Sequence, residues 1–154
     1  MLEKLENIIS NNQLLSENLF IKNNLEELLM LRENKNFDEK WIKIYNVLNV
    51  NDYSNKKELI DRIRKIVFRR AYDISFSSEF AGFVSDDFEL ISKAIICKYE
   101  NSWITSLLYI YLKGNFPTGE IKIVSNTFNE IITDATLWKI RLNFEIELKK
   151  MGWC

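Results

Sequence analysis

Residues 83–95, FVSDDFELISKAI, decide how the middle of the chain divides into helices. The stretch sets Ser85, Asp86, Asp87 and Glu89 at the head of an apolar run. Read as a helix start, Ser85 is the N-cap, and a cap of this kind stabilises by about 1 kcal/mol. Asp86 and Asp87 then fill the first turn, where each carboxylate gains about 0.3–1 kcal/mol from the helix dipole. With Asp86 as the cap, Glu89 stands three residues on and completes a box-like pair. Both versions predict a helix over 86–99 and leave SFSSEFAG, residues 75–82, as a Phe-rich connector ending at Gly82. Read as a working site, the same carboxylates are a metal cradle, a catalytic pair or a patch for a basic partner.

Upstream, apolar residues recur at helical spacing. Leu2, Leu5, Ile8 and Ile9 form one short stripe. Ile21, Leu25, Leu28, Leu29 and Arg32 share one face of a helix predicted over about 17–33. Asp38 is placed to cap a third helix, with Phe37, Trp41, Ile44, Tyr45 and Leu48 inward. Ser54 or Asn55 opens a fourth, whose stripe of Leu59, Ile60, Ile63, Ile66, Val67 and Ala71 carries it to about residue 74. Downstream, WITSLLYIYL (103–112) predicts a sixth helix, closed by Gly114 as a left-handed cap and by Pro117.

The tail changes period. In LWKIRLNFEIELKK (137–150), Trp138, Ile140, Leu142, Phe144, Ile146 and Leu148 alternate with polar residues, which puts all of them on one face of a strand. EIKIVS (120–125) alternates more briefly. The two stretches predict an antiparallel hairpin with a loop at 126–136 that has room for a helical turn. The expected fold is therefore α+β and mostly α: a single domain, 1–154, with about six helices over 1–114 and a β-hairpin over 119–150.

Composition removes most chemistry. The sequence contains no histidine, so the commonest general base and zinc ligand are missing. Cys97 and Cys154 are too few for a zinc site of their own, and the four glycines are dispersed rather than gathered into a phosphate loop. DDFE lacks the alternate-residue ligand spacing of a calcium loop. No catalytic residue, metal site or cofactor is expected, and no enzyme activity. The longest apolar run is shorter than the roughly 20 residues a bilayer span needs. MLEKLENII has no basic region followed by an apolar one. The reading is a cytoplasmic protein with no membrane role and no small-molecule substrate.

Charge is segregated although the net charge is −1. Residues 56–70 hold Lys56, Lys57, Arg62, Arg64, Lys65, Arg69 and Arg70 against Glu58 and Asp61. Residues 71–92 hold only acids: Asp73, Glu79, Asp86, Asp87 and Glu89. These five are the candidate partner-binding residues, with Phe76, Phe80 and Phe83 among them as possible anchors. The plainer account is that the basic side chains solvate a helix and pair with nearby acids, and that at least two of the three rings close the core. Nucleic-acid binding through residues 56–70 is disfavoured, because the apolar stripe there is a core stripe and no helix-turn-helix is visible.

The segment SDDFELISKAIICKYENSWITSLLYIYLKGNFP, residues 85–117, resembles bacterial immunity proteins of polymorphic toxin systems, including contact-dependent growth inhibition. The resemblance rests on Ser85, Asp86 and Asp87, on the apolar Phe88, Leu90, Ile91 and Ala94, and on Trp103, Leu107, Tyr111, Gly114 and Pro117. It implies a non-catalytic protein that binds one cognate toxin domain, often a nuclease, and occludes its active site. The near-neutral net charge departs from what a nuclease decoy would show. The competing reading is a helical protein–protein interaction module or regulatory subunit.

Overall fold

The computed structural model describes residues 1–11, 14–15, 19–22, 24–137 and 150. In chain order the helices are α1 (Leu2–Ser10), the single turn α2 (Leu19–Lys22), α3 (Leu25–Arg32), α4 (Lys35–Leu48), α5 (Lys57–Ser75), α6 (Ser78–Ile96) and α7 (Ser102–Leu112). A 3₁₀ turn at Ser54–Lys56 leads into α5, and residues 128–137 are helical.

The architecture is all-α, which corrects the expected α+β class. No strand occurs among the described residues. Residues 120–125, one arm of the expected hairpin, pair with no strand; Val124 N–H instead donates to Ser106 Oγ on α7 at 2.8 Å. Their alternation does not make a face either, since Ile121 is buried while Ile123 is half exposed. The other arm, within 137–150, falls almost wholly outside the described residues. The expected loop at 126–136 is helical from residue 128. Thr127 and Glu130 form a capping box there: Glu130 N–H donates to Thr127 Oγ1 (3.2 Å) and Thr127 N–H donates to Glu130 Oε2 (2.8 Å).

Asparagine sets three of the other helix starts. Asn24 accepts from Glu26 N–H and so begins α3, splitting the single helix expected over 17–33. Asn34, not Asp38, caps α4. Asn101 caps α7. An Asn side-chain oxygen takes up N–H groups that the first turn leaves without partners.

α5 and α6 form the most extensive helix pair. The chain reverses between them in two residues: Phe76 in the left-handed region (φ 53°) and Ser77, which caps α6 by accepting from Phe80 N–H. The helix therefore starts at Ser78, and the Phe-rich connector expected over 75–82 is mostly helix. Ser85 and Asp86 are not its cap. α6 is buried around nearly its whole circumference, with Phe80, Val84, Phe88, Ile91 and Ala94 all inaccessible. Such a helix is the centre of a bundle, and α1, α4, α5 and α7 all pack on it.

Gly82 lies inside α6, and a Cβ built there meets nothing within 4 Å. It is a helix-interior glycine with no steric reason to be glycine. Gly82→Ala is expected to raise unfolding free energy by about 0.5–1 kcal/mol, read from the urea midpoint at unchanged m-value.

Candidate functional site

The five acids predicted to meet a partner sit in three different settings. Asp87 is wholly buried. It accepts from Arg32 Nη2 (2.8 Å) and Trp41 Nε1 (2.8 Å) at Oδ1, and from Tyr111 Oη (2.7 Å) at Oδ2. Those donors belong to α3, α4 and α7, so one carboxylate on α6 joins four helices. Arg32 is itself buried, packs its guanidinium over Phe37 (3.8 Å) and lies near the Phe83 ring (5.2 Å). Burial pushes the Asp87 carboxyl above its ordinary range, against the pull of Arg32, Tyr111 and Trp41. Burial, then the Asp87 charge, holds the Tyr111 hydroxyl well above its usual value, so it remains a donor. With both oxygens engaged inside the chain, Asp87 is not at the surface for a partner to touch.

Asp86 and Glu89 lie on the accessible side of α6 but are already engaged. Arg64 of α5 donates through Nη2 to Asp86 Oδ1 (2.9 Å) and through Nε to Ser85 Oγ (3.2 Å), and its Nη1 lies 2.5 Å from Glu89 Oε2. Glu89 also pairs with Lys93 at 2.7 Å. Desolvation raises the Asp86 carboxyl, with Arg64 pulling it down and Glu89 adding to the rise. Elsewhere α5 pairs with α1 through Arg62–Glu6 (2.8 Å), and the 3₁₀ turn before it does so through Lys56–Glu3 (3.5 Å). Much of the charge segregation along the chain is therefore cancelled across the helix pairs, as the plainer account expected.

Asp73 and Glu79 flank the α5–α6 turn. Both are exposed, and neither is held by a salt bridge among the described residues. Of the three neighbouring rings, Phe80 is buried against Phe20 and Phe116, Phe83 is partly buried, and Phe76 stands in solvent.

A cleft of about 260 Å³ opens between α4 and α6, lined by Trp41, Tyr45, Asp86, Glu89, Leu90 and Lys93. Trp41 and Tyr45 stack as its wall, with centroids 5.3 Å apart and planes at 14°. Lys93 spans the floor, over the Tyr45 and Tyr53 rings and 3.3 Å from Asn49 Oδ1. Among the described residues no group of three or more Cys, Asp or Glu is placed to hold a metal ion, and no helix is long and apolar enough to cross a membrane. The acidic segment alone does not disclose Arg32, Trp41 or Tyr111 as partners of Asp87. One signal did exist: Arg32 falls on an otherwise apolar stripe, and a charge in that position needs an interior counter-charge.

Residues 4–118 match the family of Immunity protein PIM1. The chain belongs to the PIM1 immunity protein family. The match covers nearly all of α1 and the whole of α2–α7, and with them the Asp87 network and the cleft. The chain matches no curated protein. Immunity proteins neutralise a toxin, so membership of this family implies a protein partner.

Asp87→Ala would strip Arg32 of its buried counter-charge and leave two other donors without an acceptor. A loss of about 3–5 kcal/mol is expected. Asp86→Ala, at a solvent-facing pair, should cost about 1 kcal/mol or less. Paired urea titrations check the contrast; equal losses would refute the division between the two neighbouring aspartates.

Proposed function

We propose that the protein neutralises one cognate cytotoxic domain, a nuclease, by covering its active site, within a polymorphic toxin system of the contact-dependent kind and in the bacterial cytoplasm. The observation that carries this reading is the family match across the helical body. The physical rationale is electrostatic. Nuclease clefts are basic because they hold phosphates, and carboxylates on a rigid body both mimic phosphate and speed encounter.

The acids available for this role follow from the geometry. Asp73 and Glu79 lie open to solvent, Asp86 and Glu89 share their charge with Arg64 and Lys93, and Asp87 serves the interior. Open carboxylates affect association rate more than dissociation. The decisive experiment co-expresses the chain with the toxin domain encoded in the neighbouring reading frame. Survival is expected, and killing that proceeds unchanged sinks the proposal. In the same system, Asp73→Lys with Glu79→Lys should slow association by roughly tenfold at low salt, with the difference shrinking as salt rises; stopped-flow fluorescence measures it.

A further inference from the structure

The outer face of α5 carries an aromatic ladder. Phe68, Tyr72 and Phe76 recur at every fourth residue and are 36%, 42% and 81% exposed. Phe68 and Tyr72 stack almost parallel (6.4 Å, 4°), and Tyr72 meets Phe76 edge-on at 6.5 Å. Tyr72 thus links the two outer rings, and none of the three belongs to the core cluster or to the partly buried side chains packed against it. Ladder position and helix geometry place Lys65 and Arg69 beside its N-terminal half and Asp73 beside its C-terminal half, with Glu79 just past the turn.

Phe76 is the informative residue. It occupies the left-handed C-cap position, where a side chain with a Cβ is strained and glycine is the ordinary solution. Its ring is also the most exposed of the three. Neither the turn nor the core accounts for an aromatic there: glycine would suit the backbone and a polar residue would suit the water. Strain and exposed apolar area coincide at one position, a pairing found where a binding function holds an unfavourable residue in place.

We infer that this ladder is the anchor surface for the neutralised protein. The inference rests on the immunity reading above and names the surface that reading leaves open. The occupant is a protein patch with an apolar centre, an acidic side chain facing Lys65 and Arg69, and a basic one facing Asp73 and Glu79. Aromatic side chains that are exposed, stacked and already restrained by one another supply large contact area at low ordering cost, as interface anchors do.

The test uses the full chain and the purified, catalytically inactivated toxin domain from the neighbouring reading frame. Phe76→Gly is expected to raise the melting temperature while weakening binding by tenfold or more, two effects of opposite sign that a structural role would not give. Tyr72→Ser should weaken binding similarly, and Tyr72→Phe should retain it. Unchanged affinity in the combined Phe68→Ser, Tyr72→Ser, Phe76→Gly variant overturns the surface assignment, while the wild-type chain still protects cells. Failure of the wild-type chain to bind or protect overturns the functional reading, and this surface with it. If the combined variant turns a dimer into a monomer by sedimentation and leaves toxin affinity intact, the ladder is a self-association face and the inference is wrong.

Discussion

The buried Asp87–Arg32 pair is the constraint around which the rest is arranged. Two opposite charges taken out of water are stabilising only when geometry and further hydrogen bonds compensate for lost hydration. Here Trp41 and Tyr111 supply those bonds, so the pair dictates where α3, α4 and α7 sit against α6. Hydrophobic burial alone tolerates many arrangements of helices around a greasy rod. A carboxylate with three directional donors tolerates few. Arg32 adds a second level of specification, because its guanidinium plane lies over Phe37 and its Nη1 is 3.8 Å from Asp38.

The α5–α6 hairpin is the other organising unit, and it explains a pattern that is ambiguous along the chain. A run of bases followed by a run of acids reads like a charged surface. Folded back on itself at Phe76 and Ser77, it becomes a set of internal pairs centred on Arg64. Acids near the turn, Asp73 and Glu79, are exposed and take part in no salt bridge among the described residues. The boundary between structural and available charge is thus set by distance from the turn.

Much of the helical fold was legible from spacing. The stripes of Leu59 to Ala71 and Trp103 to Leu112 place α5 and α7 within a residue or two. The start of α6 was not legible, because Ser85–Asp86–Asp87 imitates a cap and Gly82 imitates a stop, while Ser77 at the true cap is unremarkable in sequence. The helix at 128–137 was announced by Thr127–x–x–Glu130, but alternation on both sides of it argued more loudly for strands. For residues 120–125, six positions of alternation are too few to require a sheet. The site was legible as an acidic neighbourhood and no further. Which of two adjacent aspartates faces inward depends on three donors separated from Asp87 by 24, 46 and 55 residues, and local pattern carries no information over those distances.

The division between interior and rim also bears on how such a protein changes over generations. Among the described residues, the ring contacts of the ladder and the hydrogen bonds of Asp87 involve different side chains, and substitutions at unconnected sites combine almost additively. Exposed positions of this kind generally shift stability by less than about 0.5 kcal/mol. Residues 68 and 72 can therefore drift through many side chains while Asp87, Arg32, Trp41 and Tyr111 keep the body intact. A lineage built this way can rewrite one outward helix face with its folding left undisturbed.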